Sequence, residues 1–161
     1  MDLHEWDDMV TEAQAIRLLI LDESQNNAER LVNVLRNAGN ATRAHRITSV
    51  EDLHESLQQN WDLCLACPEV SFMTAQDACM IISQSYDVPF ILLSDQDDHG
   101  ARTEALRAGM QDVVPPTSDS LLVLVIKREL ANLAARRQRR ITERSLKEAE
   151  KRCQLLLDSS V

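Results

Sequence analysis

Asp22 and Glu23 stand side by side after an apolar run, Cys67 ends a second such run, and Ser94 ends a third. Adjacent carboxylates suit a hard divalent cation, a thiol is a nucleophile or soft metal ligand, and a hydroxyl donates to an anionic oxygen. If the runs are parallel strands of one open sheet, their carboxyl ends meet at a common crevice, where such sheets place their chemistry. Cys64 and Cys67 also form a Cys-x-x-Cys pair. A separation of three along a strand puts them on opposite faces, and no second pair completes four zinc ligands. Cys64 therefore reads as a small buried apolar residue, Cys67 as a strand-end thiol with no basic neighbour to hold a thiolate, and no metal or other cofactor is expected. His4, His45, His54 and His99 lack ligand spacing and read as surface residues.

The elements that must position these groups follow from composition and periodicity. The chain has 161 residues, 44% of them apolar and 3% aromatic, so its core is aliphatic and suits a parallel sheet flanked by helices. The net charge of −9 speaks against general affinity for nucleic acid or anionic lipid. An acidic start (Met1-Asp2-Leu3-His4-Glu5-Trp6) and the lack of any apolar run near the roughly 20 residues that span a bilayer predict a soluble cytoplasmic chain. Four cysteines without framework spacing fit a reducing compartment.

Short apolar runs predict strands at Arg17–Leu21, Leu63–Ala66, Val88–Leu93 and Asp112–Val114, and alternation predicts a half-exposed edge strand at Thr42–Ile47. Between them, helical spacing begins at Asn26 and stops at Asn37-Ala38-Gly39, and Ser49 with Asp52 reads as a helix start. Further helices are predicted over Met73–Ser85 and Arg102–Ala108, the last closed by Gly109, and one long helix from Ser118 to Leu157. Strands alternating with helices give an α/β fold with a five-stranded parallel sheet, doubly wound in the flavodoxin manner, and an extended carboxyl-terminal helix. Residues 1–15 form an extension whose Leu3, Trp6, Met9 and Val10 have roughly helical spacing. Trp61 is expected to cap the sheet edge.

Order and motifs together resemble the receiver domain of two-component response regulators, the CheY-like fold, over about residues 16–130. Leu18-Leu19-Ile20-Leu21-Asp22-Glu23 looks like its acidic first strand, Asp62-Leu63-Cys64-Leu65-Ala66-Cys67 its third, and Glu104-Ala105-Leu106-Arg107-Ala108-Gly109 with Asp112 its fourth helix and fifth strand. The resemblance implies that two acids after the first strand hold magnesium and that an aspartate after the third accepts a phosphoryl group. A Ser or Thr and a lysine then read the phosphoryl oxygens. Here the acceptor position holds Cys67, the lysine position Pro115-Pro116, and the aromatic reporter position Val113, while Asp22, Glu23 and Ser94 persist. Asp22, Glu23, Cys67, Ser94 and Pro116 thus outline a degenerate acceptor pocket without phosphoryl chemistry.

Asp22-Glu23-Ser24-Gln25-Asn26 with Ala38-Gly39, then Thr42-Arg43-Ala44-His45-Arg46, and Asp112-Val113-Val114 running into Ile126-Lys127-Arg128-Glu129-Leu130, look like the degenerate receiver that opens FimX-type proteins. Those carry receiver, PAS, GGDEF and EAL domains and act in cyclic-di-GMP control of type IV pili and twitching motility. Residues 131–161 then form a helical linker towards a following PAS domain, and any nucleotide chemistry lies outside the chain. The resemblance implies a non-enzymatic dimerisation, docking and localisation module, a protein partner, and placement at the cell pole.

The long helix changes character along its length. Residues 127–152 hold ten Lys or Arg and four Glu, which predicts salt-sensitive attraction between this basic helix and the acidic body of a second subunit. Arg136-Arg137-Gln138-Arg139-Arg140 reads as a solvated or partner-facing run, without the aromatics or recognition helix of a DNA binder. Leu106, Val123, Ile126, Leu130 and Leu133 are the expected contacts of a homodimer formed by the fourth helix, fifth strand and long helix. Two competing functions carry tests: a working phosphoryl switch, which beryllofluoride with magnesium would reveal, and a redox sensor at Cys67.

Overall fold

The computed structural model describes residues 15–95 and 99–158. The amphipathic segment expected around Trp6 lies outside them. The strands, in chain order, are β1 (Ile16–Leu21), β2 (Thr42–Arg46), β3 (Leu63–Ala66), β4 (Glu69–Val70), β5 (Met73–Thr74), β6 (Phe90–Leu93) and β7 (Asp112–Val114). Five of them form one sheet in the order β2-β1-β3-β6-β7. Every neighbouring pair in it is parallel. Helices α1 (Gln25–Asn37), α2 (Val50–Ser56), α3 (Ala75–Ser83), α4 (His99–Arg107) and α5 (Asp119–Asp158) connect or follow the strands. The doubly wound order anticipated from the periodicity is therefore present.

Alternation along β1 sorts the core into two layers. Leu18 and Ile20 face a cluster with Ala28, Leu31 and Leu35 of α1 and Leu122, Val125 and Ile126 of α5. Leu19 and Leu21 face the opposite cluster, with Leu53 of α2, Ala78 and Ile82 of α3 and Ala105 of α4. Among the described residues, Phe90 is the one large ring fully buried within the sheet. Local chemistry sets the helix ends. The Ser24, Ser49 and Thr74 hydroxyls accept from the backbone N–H of Asn27, Asp52 and Asp77, capping α1, α2 and α3. Gly39 and Gly109 take positive φ just past α1 and α4, the left-handed turn that glycine allows.

Three local expectations change. Strands β4 and β5 pair as an antiparallel hairpin directly after β3, so α3 starts at Ala75. Trp61 sits below the amino end of β3, not at a lateral edge. It is buried, its indole N–H donates to Ser56 O at 2.7 Å, and the Arg17 guanidinium lies 5.1 Å from its ring centre. His45 is not a plain surface residue either: its Nε2 pairs with Asp52 at 2.9 Å, and its ring lies 6.3 Å from that of Trp61.

Helix α5 is 40 residues long, about 60 Å at 1.5 Å per residue. No Gly or Pro interrupts it, and Leu, Ala, Glu, Lys, Gln and Arg dominate its far half, all strong helix formers. It begins near the carboxyl end of β7, runs back along the sheet, and continues beyond the amino ends of the strands. Leu122, Val125, Ile126 and Leu133 are buried against the body. From Arg137 to Leu157 every residue is exposed.

The expected dimer contacts need correction on this point. Ile126 is 1% exposed and Leu133 2%, because the spacing from Leu122 through Ile126 and Glu129 to Leu133 keeps them on the face turned to the sheet. Neither is available to a second subunit. Leu130, with Val32 of α1, packs at the margin of the α1–α5 cluster, and Val123 is half-buried. Only Leu106 of the five is well exposed, at 51%.

The basic run needs the same correction. Arg136 and Arg140 both pair with Asp87, at 2.8 and 2.7 Å, and Arg137 pairs with Asp62 at 2.8 Å while donating to Trp61 O at 3.0 Å. Arg128 reaches Asp112 at 2.9 Å. The attraction between basic helix and acidic body operates within one chain. It keeps α5 on the body as far as Arg140.

Candidate functional site at the carboxyl rim

The carboxyl ends of β1, β3, β6 and β7 bring Asp22, Cys67, Ser94 and Pro116 to one rim. Asp22 follows β1 and is 7% exposed. Its Oδ1 accepts from Ser24 N at 2.8 Å, and its Oδ2 accepts from Asn27 Nδ2 and from the Cys67 thiol at 3.1 Å. A buried carboxylate is tolerable only when its lone pairs are matched, and here three donors of the chain itself match them. Asn27 reaches Asp22 because α1 begins at Gln25, which turns its first-turn side chains over the end of β1.

Glu23 points elsewhere. Its carboxylate accepts from Ser71 N at the tip of the β4–β5 hairpin, and hydrogen bonding from the Ser71 side chain, with that backbone N–H second, holds its pKa below the ordinary carboxylate value. The two adjacent acids therefore serve different partners, one beneath the rim and one on the hairpin. Among the described residues no group of three His, Cys, Asp or Glu side chains could hold a metal ion.

Cys67 follows β3, where the resemblance expects the acceptor. Its backbone N–H donates to Leu21 O at 2.9 Å, in line with the β1–β3 ladder. Burial pushes its thiol up to about 12, and the hydrogen bond to Asp22 and that carboxylate's charge act in the same direction. A thiol that donates to a carboxylate stays protonated, so it is a poor nucleophile at neutral pH. Cys64 lies buried in the α2–α4 layer, on the other face of β3, and burial raises its thiol further. The Cys-x-x-Cys pair is thus split between core and rim, as the odd spacing requires.

The far side of the rim is closed by a residue with no obvious sequence signal. Arg30 of α1 donates from Nε to Asn27 Oδ1 at 3.1 Å and from Nη2 to Pro116 O at 3.1 Å, and pairs with Asp119 at 2.9 Å. Its cationic head ties α1 to the loop where the resemblance expects a lysine. Cys67, Asp22, Asn27, Arg30 and Pro116 form one chain of hydrogen bonds from β3 to the start of α5. Ser94 donates its backbone N–H to Val114 O at 3.0 Å and is half-buried. Asn27 and Arg30 are legible in the sequence only as polar residues on a helix whose inner face is apolar. Ser71 belongs to a hairpin that no turn dipeptide announces.

Known structures can now be set beside this geometry. A putative response regulator from Chloroflexus aurantiacus J-10-fl is similar at 25% identity, with TM-score 0.62 over 73% of this chain and 98% of that one. The signal receiver domain of an HD domain-containing protein from Pseudomonas fluorescens Pf-5 gives TM-score 0.66 at 19% identity, over 78% of this chain and 94% of that one. The chain has the CheY-like receiver fold. A CheY-like receiver domain protein from Methanospirillum hungatei JF-1 agrees, with TM-score 0.64 at 17% identity over 76% and 98% of the two chains. No protein-family model matches the sequence, and no curated protein does. No helix among the described residues is long and apolar enough to cross a membrane.

Proposed function

We propose that this receiver works without phosphoryl transfer, as a dimerisation, docking and localisation module of a FimX-type cyclic-di-GMP signalling protein that controls type IV pili and twitching motility. The hydrogen bond from Cys67 to Asp22 carries the first half of the reading. It places a protonated thiol where an acceptor carboxylate is needed and uses a lone pair that a metal would require. Glu23 is engaged by Ser71, the loop after β7 offers Pro115 and Pro116, and Val113 has no ring to report a change. The second half is supported by the resemblance of Asp22–Asn26, Thr42–Arg46 and Ile126–Leu130 to the FimX-type receiver. A helix that extends past the body, exposed from Arg137 to Leu157, fits it.

Beryllofluoride with magnesium, added to the labelled chain, is expected to leave the amide resonances of Ser94 and Val113 unmoved. Saturable shifts there would refute the non-phosphorylatable reading and restore the switch. In cells of a piliated host, a fluorescent fusion of residues 1–161 is expected to gather at the pole, and a uniform distribution would remove the localisation role.

A further inference from the structure

The outer edge of the sheet carries a groove with an apolar floor and cationic walls. Strand β2 closes the sheet on that side, with β1 as its one neighbour, and α1 and β2 enclose a groove of about 610 Å³ beside it. Ile20, Ala28, Val32 and Ala44 make the floor, and Ala44, in the middle of the edge strand, is exposed. Open strand edges invite foreign pairing, and folds blunt them with charge or cover them with another segment. Arg36 and Arg46 stand in the walls. Arg36 donates to Thr42 O at 3.0 Å, and Arg46 donates to the carbonyls of Asp22 and Glu23, both at 3.4 Å. Among the described residues these two guanidiniums meet backbone oxygens and no carboxylate. Glu29 is the one acid in the lining, so the groove is positive on balance.

The chain's own course identifies what covers it. Ile16 N donates to Ala41 O at 2.8 Å and Ile16 pairs with Thr42, so residues 1–14 join the described chain beside the turn from α1 to β2, at the foot of the groove. They hold Asp2, Glu5, Asp7, Asp8 and Glu12 and no Lys or Arg, a charge opposite to that of the walls. Leu3, Trp6, Met9 and Val10 recur at roughly helical spacing, an apolar side for an apolar floor, with the tryptophan as its largest anchor. Lengths agree as well. The lining runs from Gln25 to Arg36 along α1, about 17 Å, and Leu3 to Val10 in helical form span about 11 Å. The six steps from Val10 to Ile16 reach up to about 20 Å when extended, enough to round the foot of β2.

We propose that residues 1–14 turn back over the foot of β2 and lay Leu3, Trp6, Met9 and Val10 in the groove of their own chain, their carboxylates towards Arg36 and Arg46. The segment then covers the open edge of the sheet and closes the α1–β2 face to other partners. This seat depends neither on dimerisation nor on the FimX-type reading.

The full chain labelled with fluorotryptophan tests it, since Trp6 and the buried Trp61 give two fluorine resonances that Trp6→Phe assigns. A seated Trp6 is expected to show a small isotope shift between light and heavy water, like that of Trp61. Ala44→Glu, which sets a carboxylate on the floor at an exposed position, should raise the Trp6 isotope shift to that of free tryptophan while the Trp61 resonance, the control for the fold, stays in place. Arg46→Glu should do the same, and added salt should move the parent in that direction. A parent Trp6 as exposed as free tryptophan would overturn the docking. A covered Trp6 that neither variant releases would put the segment on another surface, and cover lost on dilution together with a dimer's mass would give the groove to a second copy; either result overturns the proposal.

Discussion

The two rims of this sheet have exchanged roles. At the carboxyl rim, Asp22 and Glu23 are satisfied by a thiol, an amide and backbone N–H groups. The cations nearby are spent elsewhere: Arg30 on Asn27, Pro116 and Asp119, and Arg46 on the backbone carbonyls of Asp22 and Glu23. At the amino rim, Asp62, Asp87 and Asp112 meet Arg137, Arg136 with Arg140, and Arg128. Where an open α/β sheet places its ligands, the Asp22 carboxylate is closed off by the chain's own neutral donors and the exposed Glu23 turns to the hairpin, while the opposite rim carries the ionic contacts that seat a long helix. A receiver fold can keep its sheet and relocate its electrostatics. On the reading proposed above, what it then organises is the course of α5.

The largest effect that would sharpen this contrast concerns the seat of α5. Leu133→Ala should cost about 2–4 kcal/mol in urea unfolding, the usual loss for emptying a buried leucine site. Leu133→Glu should prevent cooperative folding. A mild effect from either would mean that the amino rim does not hold the helix. Next comes Asp87, whose carboxyl is held below its ordinary value chiefly by the hydrogen bond from Arg136. A depressed folded pKa means that its contribution is complete above the unfolded value near 3.9 and is lost as pH falls through the folded value. Asp87→Asn should therefore destabilise the chain at pH 7 by about 1–3 kcal/mol, the range for a charged hydrogen bond that leaves a partner unmatched. It should also flatten the fall in stability below about pH 4. Equal acid sensitivity in the variant and the parent would assign the acid transition to other groups.

The smallest effect tests the carboxyl rim. Cys67→Asp restores a carboxylate at the acceptor position but sets it against Asp22, so it should lower stability by about 1 kcal/mol, a like-charge contact at a partly solvated rim. Beryllofluoride should still produce no amide shifts, because Glu23 stays on the hairpin and no lysine follows β7. A response in this variant would show that one substitution, and not the rearranged rim, silences the site.

Most of the architecture can be read from the chain because four strands are short apolar runs, the edge strand alternates, and helix signals stand at Ser49, Gly39 and Gly109. Those signals are local, and local signals survive into the fold. The β4–β5 hairpin escapes because Glu69-Val70-Ser71-Phe72-Met73-Thr74 contains no turn dipeptide, and its tip is held by Glu23, 48 residues away, accepting from Ser71 N. Asp22, Cys67 and Ser94 are legible as strand-end residues, but Asn27 and Arg30 are not, since their roles arise from tertiary contacts that periodicity does not encode. Ile126 and Leu133 mislead for a related reason. Apolar character all round the start of α5 marks the core face and the outer face alike, and only the position of the sheet separates Ile126 from Leu124.

An unbroken helix has a phase as well as a length. From Asp119 to Asp158 there is no glycine or proline where rotation could be absorbed, so the azimuth of the far end of α5 is fixed relative to the sheet. One inserted residue would swing the following segment by about 100°, whereas seven would return it to within about 20° of its starting direction. The body thus grips α5 as a clamp holds one end of a torsion rod, and what it fixes is an angle.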